Sequence, residues 1–272
     1  MLNITEKEFR RLSEYMKSYY GIHLKPEKKT LVMGRLQNVL LQGGFVSFSS
    51  YFDYIHSDQS GEAARTLINK LTTNHTFFMR ESQHFMYFKN TVLPYLSSVE
   101  ASKKDLRIWS AGWSSGEEPY TLAMIMSDYF GSSKGLWDTK ILATDISTKV
   151  LEKAVRGIYT KESISNIPQS WKMAYFNHIS SNEYIVSDGI KKEVIFRRFN
   201  LNNVEFPFKN KFHVIFCRNV MIYFDSETKK KLIEKFYELT EPGGYLFIGH
   251  SESLNRNETK YKYIMPAVYR KE

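Results

Sequence analysis

Leu106-Arg107-Ile108-Trp109-Ser110-Ala111-Gly112-Trp113-Ser114-Ser115-Gly116-Glu117-Glu118-Pro119-Tyr120 is the segment from which the rest of the chain takes its organisation. Leu106, Ile108 and Trp109 are the β-favouring apolar residues of a buried strand, and Ser, Ala and Gly then take over abruptly. Pro119 suits the first turn of a helix, where its missing N–H costs nothing. Leu122, Ala123, Ile125 and Met126 continue as an apolar helical stripe. Strand, tight loop with two glycines, then helix: this is the usual cradle for a nucleotide-like ligand. Neither G-x-G-x-x-G nor G-x-x-x-x-G-K-[ST] is present, and paired acids stand where a phosphate cradle carries lysine. Carboxylates facing a ligand repel phosphate and suit hydroxyls and cations. They point to a ligand with a ribose and positive charge but no phosphate, such as S-adenosylmethionine. The competing reading is an ordinary strand-to-helix turn of some other α/β enzyme.

Downstream, strands and helices alternate, which argues for a parallel sheet with helices on both faces. The second strand is Lys140-Ile141-Leu142-Ala143-Thr144-Asp145-Ile146, followed by a helix over 149–156 that Ser147 caps and Gly157 ends. Asp145 falls at the carboxyl end of that strand, where nucleotide-binding α/β folds place the acid that grips ribose hydroxyls. Phe212-His213-Val214-Ile215-Phe216-Cys217 is the third core strand. A helix over 226–239 leads through Pro242-Gly243-Gly244 to the fourth, Tyr245-Leu246-Phe247-Ile248-Gly249. A last strand over 263–270 adds an antiparallel edge. Before the third strand, Asp188-Gly189 between β-forming residues predicts a two-residue hairpin, in an insertion at about 177–198. Its second arm is expected over 191–198. The insertion reads as compact and without a glycine over 177–183, so a grip on a receptor's C-terminal peptide is not expected from it.

Upstream, residues 1–80 read as helical. Thr5-Glu6-Lys7-Glu8 has capping-box spacing, Phe9, Leu12, Met16 and Tyr19 follow at helical intervals, and Gly21 can close the helix. A second helix fits 27–41 with Leu31, Leu36, Val39 and Leu40 inward, and shorter ones fit 48–55 and 62–72. Lys25, Lys28, Lys29 and Arg35 gather near the start and outer face of the second helix, a placement that opposes its dipole. They form either a solvated face or a docking surface for an acidic protein. Polar residues over 72–76 interrupt the helical pattern before Phe77-Phe78-Met79-Arg80. A linker helix is expected within 81–105, with Phe85, Phe88 and Val92 in register, and a second domain over 106–272.

The 272 residues include 38 basic and 29 acidic, a formal charge of +9 that favours nucleic acid, anionic membrane or an acidic protein partner. One cysteine excludes an intramolecular disulfide, and Cys217, ending an apolar run, is a poor nucleophile candidate. The seven histidines show no His-x-x-x-His spacing, so no metal is expected. No secretory signal and no run approaching the roughly 18 apolar residues of a membrane span is visible, and a cytoplasmic location is expected.

Five blocks in order carry a resemblance: Thr72-Thr73-Asn74-His75-Thr76-Phe77-Phe78-Met79-Arg80-Glu81; Trp109-Ser110-Ala111 through Ser115-Gly116-Glu117-Glu118-Pro119-Tyr120; Ala143-Thr144-Asp145-Ile146; Phe216-Cys217-Arg218-Asn219-Val220-Met221-Ile222-Tyr223-Phe224; and Gly249-His250-Ser251-Glu252-Ser253. The chain resembles the chemotaxis receptor glutamate O-methyltransferases of the CheR family. That resemblance implies a Rossmann-like sheet that binds S-adenosylmethionine and leaves S-adenosylhomocysteine, with a small N-terminal all-helical docking domain and an inserted β-hairpin subdomain. By matching position, Asn74, Thr76 and Arg80 would close over the cofactor and Gly112 would let the backbone approach it. Glu118, rather than Glu117, and Asp145 would hold its methionine and ribose ends. Asn200 and Leu201 would flank the adenine, and Arg218 and Asn219 would line the methyl-transfer side. Arg80 and Tyr223 would steer the acceptor carboxylate. The implied partner is the cytoplasmic helical domain of chemotaxis receptors, met by a monomer recruited to receptor arrays, with no nucleic acid and no membrane insertion. Trp113 departs from the small residues common in this loop, and its bulk would narrow the site.

Three rivals compete. A nucleic-acid methyltransferase fits the charge, but Cys217-Arg218-Asn219-Val220-Met221 stands where amino-methylating DNA enzymes carry Asp or Asn followed by Pro-Pro and an aromatic, and no Pro-Cys nucleophile is present. A small-molecule carboxyl methyltransferase leaves the basic helical domain without a role. A non-catalytic module that retains cofactor is opposed by the presence of Arg80, Asp145, Asn219 and Tyr223.

Overall fold

The computed structural model describes residues 2–72 and 75–272. Four helices come first: α1 (Glu6–Tyr20), α2 (Lys29–Gln42), α3 (Phe48–Ser57) and α4 (Glu62–Leu71). The Thr5 hydroxyl accepts from the Glu8 N–H while the Glu8 carboxylate accepts from the Thr5 N–H, a reciprocal cap, and Gly21 closes α1 at φ +70°. Phe9, Leu12 and Met16 meet Val32, Leu36, Leu40 and Phe48 in a core separate from that of the sheet. The inward set expected for α2 needs correction. Leu31 is 41 % exposed and Val32 fully buried, because α2 begins only after a 3₁₀ turn over Pro26–Lys28, which sets its phase one residue later.

A continuous helical run follows, α5 (Ser82–Tyr87), a π-helical turn (Phe88–Val92) and α6 (Leu93–Val99). Pro94 has no N–H for the ladder, and the wide turn comes just before it. Beyond it lie β1 (Ile108–Ala111), α7 (Glu117–Phe130), β2 (Ile141–Asp145), α8 (Thr148–Arg156), β3 (Ile158–Thr160), α9 (Gln169–Tyr175), β4 (Phe176–Ser180) and β5 (Glu183–Val186). The chain ends with α10 (Asp188–Lys191), β6 (Val194–Arg198), β7 (Phe212–Cys217), α11 (Ser226–Leu239), β8 (Thr240–Ile248), β9 (Lys262–Met265) and β10 (Val268–Arg270).

Seven strands form one sheet in the order β6-β2-β1-β7-β8-β10-β9. The first five are parallel, and β10 is antiparallel to both neighbours. Alternate side chains feed two cores. Ile108, Phe216 and Phe247 pack with Phe85, Phe88 and Met124 on one face, while Trp109, Ile215 and Leu246 pack with Phe236 on the other. From β1 the chain steps outward to β2, then returns to the far side of β1 as β7. The strand order reverses there, and a crevice opens between the carboxyl ends of β1 and β7.

Asp188-Gly189 does not turn a hairpin. Gly189 adopts no positive φ, which a tight hairpin turn of the expected kind requires, and the pair begins α10. The hairpin is β4–β5, turning at Ser181-Asn182, and β3 completes a three-stranded antiparallel sheet in the order β3-β5-β4. The expected second arm is β6, which pairs in parallel with β2 in the main sheet. Burial of Ile190 and Val194 against the main core outweighs the local turn preference. β4 is an outer strand of that small sheet, and its residues 177–180 are exposed. The last expected strand is likewise two, β9 and β10, joined by a turn with Ala267 at φ +63°.

Candidate active site

The crevice holds a cavity of about 1150 Å³ counting its open mouth. Its floor is the loop after β1 (Gly112, Trp113, Ser114), the end of β2 (Thr144, Asp145, Ile146) and the segment after β7 (Arg218, Asn219, Val220). Phe199, Asn200 and Leu201 form one wall, Ile222, Tyr223 and Phe224 another, and Thr72, His75, Thr76, Phe77 and Arg80 lie across the top. Every cofactor and catalytic residue named from the sequence lines it except Asn74, which lies outside the described residues.

Backbone strain is concentrated around this cavity. Met79 (+62°), Glu81 (+54°), Ser114 (+66°) and Asn219 (+60°) carry positive φ without being glycine. Such residues persist only where their surroundings over-determine them, and they cluster at functional sites. Gly112 has φ +76°, and a Cβ there would stand 2.4 Å from Val220 Cγ2. Its close approach is thus to Val220 in the cavity floor, and it lets the loops after β1 and β7 meet. Trp113 is 2 % exposed with its ring against Phe196 (centroids 4.9 Å apart), so most of its bulk is absorbed by the core.

The acids divide by environment. Asp145 accepts from the Ser114 N–H on Oδ2 and the Ser147 N–H on Oδ1, both at 2.9 Å. Burial pushes its carboxyl up to about 6, partly offset by the N–H groups of Ser147, Ser114 and Ile146. Glu118 accepts from the Ser110 hydroxyl at 2.7 Å and from Arg218 Nη1 at 3.0 Å. Burial raises its pKa too, with Arg218 pulling it back. Glu117 turns to the Ser115 hydroxyl at 2.8 Å and does not line the cavity. Of the two neighbouring acids, only Glu118 faces it.

Arg218 is buried and fully committed. It donates to Glu118, to Glu81 (Nη2 at 3.1 Å) and to the Arg80 carbonyl, and its guanidinium lies 4.9 Å from the centre of the Phe85 ring. Glu81 also accepts from Asn219 Nδ2 at 3.3 Å. Burial raises the Glu81 carboxyl, but Arg218 and Asn219 more than offset it and leave its pKa below the usual value. Glu252 braces the same segment, accepting from the N–H groups of Asn219 (2.9 Å), Ile222 (3.1 Å) and Gly249 (2.6 Å). Neither Glu81 nor Glu252 stands out in the sequence as a site residue, since a single acid on a polar loop ordinarily reads as solvated.

Arg80 differs from Arg218. It is partly exposed, donates to the His75 carbonyl at 2.8 Å, and has no carboxylate within 4.0 Å among the described residues. Tyr223 is 36 % exposed at the same cavity. The helical module also reaches the site, which sequence spacing does not reveal. Tyr20 and Ile22 line the cavity, the His23 N–H donates to the Tyr223 carbonyl at 2.8 Å, and Asn200 Nδ2 donates to the Tyr19 carbonyl at 2.7 Å. Cys217 is buried, and burial pushes its thiol well up, so it offers no nucleophile.

The donor set suits S-adenosylmethionine. Among the described residues no lysine lines the cavity, and Arg218 is neutralised by Glu81 and Glu118. Arg80 at the top is the one cationic side chain among the described lining residues without a carboxylate partner, while at the floor Asp145 and Glu118 offer acceptors to hydroxyls and to positive charge. Residues 74–269 match the family described as CheR methyltransferase, SAM binding domain, and residues 7–72 match the CheR methyltransferase, all-alpha domain. The chain is 42 % identical over 272 residues to a chemotaxis protein methyltransferase of Borreliella burgdorferi, covering 99 % of this chain and 96 % of the relative. It is 37 % identical over 254 residues to chemotaxis protein methyltransferase 2 of Vibrio cholerae, covering 93 % and 88 %. Against the chemotaxis protein methyltransferase of Escherichia coli it is 36 % identical over 272 residues, covering 98 % and 92 %. With both domain types matched in order along this fold, the chain belongs to the CheR methyltransferase family, and S-adenosylmethionine is its cofactor.

Proposed function

We propose that this protein transfers the methyl group of S-adenosylmethionine to glutamate side chains of membrane-bound chemotaxis receptors, forming glutamyl 5-O-methyl esters in sensory adaptation. The observation that carries this reading is the contrast between two arginines of one cavity. Arg218 is saturated by buried acids, whereas Arg80 has no carboxylate partner among the described residues and reaches solvent. An unpaired guanidinium beside a methyl-donor site suits an incoming carboxylate.

When bound, S-adenosylmethionine supplies a methyl on a sulfonium, so that an O–C bond forms as the C–S bond breaks, sulfur keeps the electron pair and no proton moves. A glutamate is already ionised near pH 7, so the protein needs no strong base. Arg80 holds the acceptor by charge-assisted hydrogen bonds and the Tyr223 hydroxyl sets its angle. Asp145 takes the ribose hydroxyls, Glu118 the methionine end, and Asn200 and Leu201 flank the adenine. Thr76 closes the top, while Arg218 and Asn219 line the transfer side, held by Glu81 and Glu252. Orientation dominates over activation, because a tighter grip on the carboxylate would lower its nucleophilicity.

The test offers labelled cofactor in parallel to a receptor cytoplasmic fragment, nucleic acid and free carboxylic acids. Label is expected in the receptor fragment alone, released as methanol by mild alkali, with mass spectrometry placing it on glutamate. Alkali-stable label, or label in nucleic acid, would overturn the reading.

Residues 1–80 dock the receptor's helical cytoplasmic part, from a cytoplasmic monomer recruited to receptor arrays. Among the described residues no helix is long and apolar enough to cross a membrane. Lys25 and Lys28 are exposed, whereas Lys29 pairs with Glu6 at 2.5 Å and Arg35 donates to the Leu71 carbonyl at 2.8 Å, closing α4. Reversing Lys25 and Lys28 to Glu is expected to raise the KM for a receptor fragment by about tenfold at low salt, with cofactor affinity unchanged. Added salt should raise the wild-type KM as well, through screening. A salt-independent KM would count against electrostatic docking there.

A further inference from the structure

We propose that Glu81, His84 and His250 bind one divalent transition-metal ion of the zinc or cobalt class, at a site wired to the cofactor cavity through Glu81. Glu81 caps α5 from a left-handed backbone conformation and His84 lies in the first turn, which brings the carboxylate and the imidazole together. His84 Nδ1 stands 3.5 Å from Glu81 Oε2. That is close to the edge of a tetrahedron built on metal bonds of about 2.0–2.1 Å. His250, just beyond β8, brings its ring over that of His84, centroids 4.4 Å apart and 85° between planes. One donor atom from each of the three residues lies within 4.8 Å of the others.

A second observation is independent of that spacing. His84 is fully buried, and neither ring nitrogen makes a hydrogen bond of good geometry among the described residues, its polar neighbours being the Pro266 backbone and Glu81 Oε2 at 3.5 Å. Buried polar atoms are rarely left so, and one unpaired in a native site calls for an explanation. A metal bond would supply the partner. Two imidazoles with one carboxylate favour zinc, cobalt or iron over magnesium, and exposed His250 gives access from solvent. The sequence-based expectation of no metal rested on spacing along one helix, whereas the third ligand comes from the loop after β8.

Glu81 Oε2 is also the oxygen that holds Arg218 at 3.1 Å. A cation on that oxygen competes with the guanidinium, and Arg218 and Asn219 line the cofactor cavity. Metal and cofactor binding are therefore coupled, and the coupling is reciprocal.

The experiment uses the full chain stripped with chelator, with Zn2+ followed by equilibrium dialysis, Co2+ by visible absorption and Mg2+ as control. One Zn2+ per chain is expected, with cobalt bands of low-symmetry coordination and no Mg2+ binding. His250→Ala, on an exposed side chain, should lower zinc affinity at least about tenfold with circular dichroism unchanged, and Glu81→Gln should do likewise. Saturating Zn2+ should weaken S-adenosylhomocysteine binding by about tenfold in the wild type and not in His250→Ala. Absence of stoichiometric zinc, or wild-type zinc affinity in His250→Ala, would overturn the site. Cofactor affinity indifferent to bound zinc would overturn the coupling. None of these readouts uses methyl transfer, so their failure and that of the receptor reading are separable.

Discussion

Arg80→Ala is expected to lower turnover by about a hundredfold to a thousandfold, the range seen when one positioning donor is removed from a reacting site. The melting temperature should stay within about 2–4 °C of wild type, the shift that ~1 kcal/mol makes in a chain of this size. This separation follows from what Arg80 touches. Among the described residues its side chain bonds to the His75 carbonyl, itself on an exposed residue, and to no carboxylate, so truncation strands no buried charge. Arg218 provides the contrast. Its removal would leave Glu81 and Glu118 without their shared cation, and breaking buried pairs in that way costs about 3–5 kcal/mol. Arg80→Lys should fall between wild type and alanine, keeping the charge but not the fork that meets a carboxylate through two parallel bonds. The check measures kcat, KM and thermal unfolding on the three proteins together. If Arg80→Ala loses stability in proportion to its turnover, Arg80 is a structural residue, and the carboxylate-steering role passes to Tyr223 alone.

The parallel sheet was legible because its strands are short apolar runs closed by glycines and capped helices. Ile108-Trp109 and the six residues of β7 are buried on both faces, and nothing in their pattern competes with that reading. Legibility failed where a local preference met a larger burial term. Asp188-Gly189 is a good turn in isolation, but Ile190 and Val194 gain more by reaching the main core than a hairpin would give them. The phase of α2 failed for a smaller reason, since the 3₁₀ turn over Pro26–Lys28 lies upstream of any periodic signal. In the cavity, the residues on strand ends could be placed because the strands could be placed. Glu81 and Glu252 could not, because each acts on Asn219 from a distant part of the chain. Tyr20 and Ile22 depend on how the helical module docks, through the bridge of Ile22 to Phe224 and the pair of Lys17 with Asp225 at 2.7 Å.

S-adenosylhomocysteine affinity is expected to fall as pH drops through about 6, and Asp145→Asn should remove most of that dependence. Each Asp145 oxygen already takes one backbone N–H, at 2.9 Å from Ser114 and from Ser147, and each keeps acceptor capacity at the cavity. Two ribose hydroxyls donating there favour the ionised form, so the free protein must lose a proton before it can bind well. The sign follows. With the free carboxyl near 6, affinity is at its plateau above neutral pH and about tenfold lower at pH 5, approaching a tenfold loss per further unit. The same carboxyl acts on cofactor-free stability in the opposite direction. Its folded-state pKa is raised above the unfolded value, so its contribution is fully present at low pH and is lost as pH rises through about 6. Weak binding at pH 5 would therefore not be this group unfolding the protein. Glu118 is raised as well and adds to the slope, which is why the variant rather than the wild-type profile isolates Asp145. At pH 7.5 Asp145→Asn should itself cost about 1–3 kcal/mol of binding, since a charged acceptor becomes a neutral amide. Titration calorimetry from pH 5 to 8 on both proteins decides the matter. A wild-type affinity flat across that range, or a variant that binds as tightly as wild type at pH 7.5, would remove Asp145 from the ribose and leave it as a brace for the loops that carry Ser114 and Ser147.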